Sequence, residues 1–130
     1  ETLSQLAQRV AVGGALFVEG PLEINPSPVY YAARMLGCVK RLLHPGDLAR
    51  HPPTHLFLTD AASQRRFFDR LEPAFRTTAW RVNDSGWPYA AGGRVKRCIA
   101  KLAVATGGKQ VLGTVYGNRF MTVLIRDAHG

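Results

Sequence analysis

The sequence predicts an α+β chain: a single two-layer α/β sandwich over residues 1–130, with helices packed on a small mixed sheet that ends in a C-terminal hairpin. Three observations predict it. At 130 residues the chain can build one sizeable core but not two independent ones. Its 46% hydrophobic and 20% charged residues are the composition of a folded chain, not of a disordered tail. The apolar spacing also changes along the chain, from helical periods up to Arg76 to alternation of period two after Gly93.

Leu3, Leu6, Ala7 and Val10 are spaced for a helix from Glu1 to about Val12, which Gly13-Gly14 can end. The alternative is a strand over Val10–Val18, whose Val10, Val12, Leu16 and Val18 fall on even positions. A short extended stretch follows around Leu16–Ile24. At Ser27-Pro28, serine is a favoured N-cap, and proline at the first helical position loses no hydrogen bond. The helix then runs from Val29 to about Leu43, burying Val29, Ala33, Leu36, Val39 and Leu43 and leaving Arg34, Lys40 and Arg41 off the stripe. Lys40 and Arg41 near its end suit the helix dipole, and His44-Pro45-Gly46 stops it.

Residues 44–55 read as a turn with one short helical piece after Asp47, and Leu56–Leu58 as a buried strand or a buried helical turn. Asp60 can cap the next helix. On it Phe67, Leu71 and Phe75 share a face with Phe68 beside them, while Arg65, Arg66 and Arg70 lie off that stripe. Pro73 should end or kink this helix near Glu72. Val82–Gly93 reads as a loop, because Asn-Asp-Ser-Gly and Gly-Gly are turn chemistry. Strands are expected at Val95–Ala105, Gln110–Tyr116 and Arg119–Ile125, the last two joined at Gly117-Asn118. In the first, Cys98, Ala100, Leu102 and Val104 alternate with Arg97, Ile99, Lys101 and Ala103, giving a partly basic face; in the last, both faces can be covered.

Seventeen Lys and Arg against nine Asp and Glu give a net charge of +8, which favours a polyanionic partner. Arg94, Lys96, Arg97 and Lys101 fall within eight residues with no acid between them, after a Gly-Gly that lets backbone N–H groups approach phosphate. With Arg65, Arg66 and Arg70 they form the expected RNA-binding set. Trp80, Trp87 and Tyr89 flank the basic segment and can stack on bases, although core or interface roles suit at least two of them better.

Other chemistry is sparse. Cys38 and Cys98 are the two cysteines, with no second one near either; that is no disulfide framework, CxxC redox pair or zinc motif, and they read as buried thiols. His44, His51 and His55 share a window dominated by prolines and read as solvated or capping residues, so no metal is expected. The acids are scattered, Gly107-Gly108-Lys109 lacks the frame of a phosphate-binding loop, and no GxSxG or HExxH occurs. Neither catalysis, nor a small-molecule substrate, nor a cofactor is expected. No apolar run is long enough for membrane insertion. The start at Glu1 rather than methionine fits a processed or trimmed product.

Leu56-Phe-Leu-Thr-Asp60 followed by Arg66-Phe-Phe-Asp-Arg-Leu-Glu-Pro-Ala-Phe75 resembles the bacterial-type large-subunit ribosomal protein 17 family, with its apolar segment and a helix ending in Leu-x-Pro-Arg-[Phe/Tyr]. Gly92-Gly93, with Arg94 or Lys96-Arg97 behind it, resembles that family's Gly-Gly-Tyr-Thr-Arg. Phe17-Val-Glu-Gly20, the Val29–Leu43 helix and Gly46-Asp47-Leu48 resemble its strand, second helix and Gly-Asp. The family's basic N-terminal segment and the Tyr-Thr are missing, and extra residues stand at about Asn83–Ala91 and Lys109–Tyr116. Such changes are similar to those of mitochondrial ribosomal proteins. The resemblance implies a two-layer sandwich and a structural constituent of the large ribosomal subunit near the peptide exit tunnel. Its implied partners are ribosomal RNA and neighbouring ribosomal proteins, in the mitochondrion or otherwise the bacterial cytoplasm. The alternative is a free-standing RNA- or DNA-binding module such as a chaperone or regulator.

Overall fold

The computed structural model describes residues 2–43, 58–71 and 74–128. Along the chain it forms α1 (Thr2–Arg9), β1 (Ala15–Pro21), α2 (Pro28–Leu43), α3 (Ala61–Phe68), β2 (Phe75–Asn83), α4 (Arg94–Thr106), the short strands β3 (Gln110–Val111) and β4 (Thr114–Val115), and β5 (Arg119–Arg126). The architecture is α+β, as the sequence predicts. The three-stranded sheet is not mixed as expected but antiparallel throughout, in the order β1-β5-β2, and β3-β4 forms a separate hairpin before β5 rather than the end of the sheet.

One face of the sheet makes the main core. Leu16, Val18 and Gly20 of β1 stand opposite Leu124, Thr122 and Phe120 of β5, which in turn face Thr77, Trp80 and Val82 of β2. Ala7 of α1, Phe68 of α3, Leu22 and Leu71 close over this face. Phe68 sits at the centre, its ring 5.6 Å from Phe120 and 6.3 Å from Trp80, and Trp80 stacks on Phe120 at 5.4 Å. Gly20 makes room for that stack, because a Cβ there would meet the Phe120 ring at 3.0 Å. The opposite face is open: Phe17, Glu19 and Arg81 are exposed, and Met121, Val123 and Ile125 only partly covered. Among the described residues one face is therefore covered rather than two.

A second, smaller core joins α2 to α4: Val29, Tyr89, Ala100 and Ala103, with Ala32 and Ile99 against them. Ser27 caps α2 as expected, its Oγ accepting the Tyr30 N–H at 3.0 Å. The helix does not bury the predicted stripe, however. Only Val29 is buried, while Ala33, Leu36, Val39 and Leu43 are exposed, the last by 69%. Asn25 ties the parts together. Its amide donates to the carbonyls of Val115 and Gly117 at 2.8 Å each, and its oxygen accepts the Ala61 N–H at 3.1 Å.

Several element assignments change, and the single strand expected over Gln110–Tyr116 is the β3-β4 hairpin. Arg94–Thr106 is helix, not the strand expected over Val95–Ala105. Its small, strongly helix-forming residues outweigh the apparent alternation. Phe75–Asn83 is a strand where helix end and loop were expected. α3 stops at Phe68, short of Glu72, with Phe67 48% exposed and Phe68 buried, and Phe75 belongs to β2. Gly117-Asn118 does not turn a hairpin into β5. The Gly117 N–H donates to Pro26 O at 3.0 Å and Asn118 O accepts from Leu22 N at 2.8 Å, which locks the chain after β1 to the start of β5. Leu58 is 57% exposed, whereas Leu56, Phe57, the expected turn over 44–55, Glu72 and Pro73 lie outside the described residues.

Candidate nucleic-acid interface

The seven cations fall into two groups and two outliers. α3 begins where Asp60 accepts the Ser63 N–H at 2.7 Å and the Ser63 hydroxyl at 2.5 Å. These bonds, the hydroxyl first, hold the Asp60 carboxyl below its ordinary pKa, with a smaller contribution from the Arg66 charge. The cap sets the phase of the helix so that Ser63 and Arg66 lie one turn apart, and the turn after Phe68, where the Arg70 N–H donates to Phe67 O at 3.2 Å, brings Arg70 alongside them. With Ser4 of α1, Phe67 and Leu71 they line a hollow of about 580 Å³ between α1 and α3. Arg65 turns away into a separate hollow that also contains Asp60 and Trp80.

The second group is on α4. Arg94, Arg97 and Lys101 recur at i, i+3 and i+7 and are exposed. Arg97 and Lys101 rim a hollow of about 330 Å³ floored by Ala90, Ala100, Val104 and Ala105. The helix is held against the chain by Gly86, at φ +68°, where a Cβ would meet that of Ala100 at 2.9 Å. Lys96 leaves the row, its Nζ 5.6 Å above the Tyr89 ring, a cation–π contact. α4 also begins against the usual electrostatics. Gly93 supplies no side-chain cap, and the first turn carries no acid. Its opening residues are Arg94, Lys96 and Arg97, cations at the positive end of the helix dipole.

Among the described residues no ion pair neutralises these groups. Among the described residues the ion pairs are Arg76–Asp127 at 3.5 Å and Arg119–Glu19 at 3.6 Å, and no carboxylate reaches any of the seven cations. The flanking aromatics divide as their surroundings require. Trp80 is in the core stack, Tyr89 is buried, and Trp87 is 72% exposed. Cys38 and Cys98 are exposed free thiols rather than buried ones. Among the described residues no three His, Cys, Asp or Glu gather to hold a metal ion, and His44, His51 and His55 lie outside them. No helix among them is long and apolar enough to cross a membrane.

Two features escaped the sequence reading. One is an exposed apolar stripe on α2, Met35, Leu36, Val39, Leu42 and Leu43, between 50% and 82% accessible. The other is Asp84, buried in the turn that carries Trp87, with one oxygen lacking a hydrogen bond. Burial raises its pKa. The Gly86 N–H, at 2.7 Å from Oδ1, and the nearby Ser27 hydroxyl only partly offset that. A carboxyl raised in the folded state makes the fold lose stability as pH climbs from the ordinary carboxylate range through the raised pKa. Asp84→Asn should therefore be more stable than the parent by about 1 kcal/mol at neutral pH, and the gap should close in acid. Urea midpoints of both proteins across this range test it; a gap independent of pH would mean that the Asp84 charge is not its source.

No protein-family model, no curated protein and no solved structure matches this chain.

Proposed function

We propose that this protein is a structural, non-catalytic RNA-binding component of the large ribosomal subunit, of the mitochondrial type. The observation that carries the RNA half of this reading is the start of α4. Arg94 and Arg97 stand in the uncapped first turn of the helix, and that turn carries no acid, an arrangement unfavourable alone and favourable around phosphate. The Arg66–Arg70 hollow adds a second cationic surface with two serine hydroxyls. Contacts of this kind go to phosphate and sugar, so they position a protein on folded RNA without reading sequence. The ribosomal half rests on the resemblance of the segments Leu56–Phe75 and Gly92–Arg97 to the protein 17 family. The exposed α2 stripe is the surface offered to neighbouring ribosomal proteins.

The test is sedimentation. The native protein should travel with large ribosomal subunits through a high-salt gradient, and ribonuclease treatment should release it. Protein left at the top of the gradient would remove the ribosomal reading. A free protein that still binds RNA in that case would be a separate binding module.

A further inference from the structure

We propose that Trp87 and the cleft beside it form a stacking site for one unpaired RNA base, with Arg34 taking the adjoining phosphate. The inference rests on the RNA-binding reading and adds to it a site outside both cationic groups. Trp87 is 72% exposed, yet the turn that presents it is fixed. Asn118 accepts the Ser85 N–H at 3.1 Å and donates to Trp87 O at 3.3 Å, and the Gly86 N–H is held by Asp84 at 2.7 Å. A large ring held out in water by a rigid turn has lost its backbone freedom before any partner arrives, which lowers the entropic cost of stacking on it.

The cleft measures about 280 Å³, and its apolar lining comes from Leu22, Val29, Ala33 and Pro88, with the rings of Trp87 and Tyr30. That is below the usual size of a small-molecule pocket and suits one planar group. The polar groups in the lining are already engaged. Asn25 bonds to Val115, Gly117 and Ala61, the Ser27 hydroxyl accepts from Tyr30 N, and the Glu23 carboxylate accepts from Thr59 N at 3.3 Å. The site therefore offers faces rather than hydrogen bonds, which is sequence-tolerant stacking. Two charges flank the cleft: the Glu23 carboxylate in its lining, turned to the N–H and hydroxyl of Thr59, and the Arg34 cation beside it, which is the one placed to meet an anion. The Arg34 guanidinium lies 5.8 Å above the Tyr30 ring and donates to the Tyr30 hydroxyl at 3.0 Å, so a cation stands fixed beside the cleft on a chain of net charge +8. A nucleotide, with a ring for Trp87 and an anion for Arg34, matches both features.

Intrinsic tryptophan fluorescence of the intact chain, titrated with a short oligouridylate and with an abasic strand of the same length, tests this. The parent should bind the base-bearing strand at least about fivefold more tightly, with quenching. Trp87→Ala should erase that difference, Trp87→Phe should restore part of it, and Arg34→Ala should lower the salt slope by about 0.7. Trp87 is exposed, so the urea midpoint should not move. A difference that survives Trp87→Ala would overturn the assignment. Equal, salt-dependent binding of both strands by the parent would remove the stacking site and leave the phosphate-binding reading intact, whereas binding of neither would remove both. Unchanged RNA binding with loss of a protein neighbour from the particle would assign the cleft to protein.

Discussion

Phe68→Ala should destabilise the fold by about 3–5 kcal/mol, a large part of the ~5–15 kcal/mol that holds a domain of this size, while Phe67→Ala should cost under about 1 kcal/mol. The two residues are adjacent and chemically identical, so the contrast isolates position. Phe68 is 1% exposed and packs on Phe120 and Trp80, whereas Phe67 is 48% exposed at the α1–α3 hollow. Removing the Phe68 ring leaves a void that β-sheet and helix can only partly close. Urea unfolding of the two variants reads the difference directly. Equal costs would show that α3 does not present Phe68 to the sheet.

The second large effect concerns RNA. Replacing Arg94, Arg97 and Lys101 together by alanine should lower the slope of log affinity against log salt by roughly 0.9 per lost contact on a double helix, and by about 0.7 on a single strand. Lys96→Ala should leave the slope nearly unchanged, because that ammonium is committed to the Tyr89 ring. Filter binding to folded ribosomal RNA across a salt series measures both. If Lys96 changed the slope as much as each member of the row, binding would depend on total charge rather than on the geometry of α4.

How much was legible in the sequence depended on whether the pattern carried a steric reason. Ser27-Pro28 and Asp60 marked helix starts correctly, because a cap and a proline act within a few residues and no tertiary contact need confirm them. β2 was missed because its alternation changes phase. Phe75 and Thr77 fall on odd positions and Trp80 and Val82 on even ones, since the register shifts between Thr77 and Ala79 and one extra residue enters the strand. The carbonyl of Ala79 at that bulge is taken by the buried Thr122 hydroxyl at 2.9 Å, a partner 43 residues away that no local window contains.

α4 was misread for a different reason. Cys98, Ala100, Leu102 and Val104 do alternate with Arg97, Ile99, Lys101 and Ala103, but the buried members are Ala100 and Ala103, three apart. The glycines on either side, Gly93 before and Gly107-Gly108 after, are its boundaries and could have signalled a helix. The candidate site survived that error in altered form. The same arginines stay together, as one row along a helix rather than as one face of a strand, while Arg65 and Lys96 leave the groups to which the sequence assigned them. The exposed length of α2 was illegible because an apolar stripe looks alike whether the chain itself or another molecule covers it.

The place of β5 has a consequence for how the polypeptide matures. Of the three strands of the sheet it is synthesised last, yet among the described residues both others bond only to it. Until Arg119–Arg126 emerges, β1 and β2 are each a lone ribbon with no ladder to join, and the aromatic stack lacks Phe120. The main core therefore closes in one late event, across contacts distant in sequence, which makes folding slow compared with that of a helical bundle. Nascent chains spend that interval with unpaired edges exposed, a state in which chaperone protection or prompt capture by an assembly partner keeps strands from pairing with the wrong neighbour.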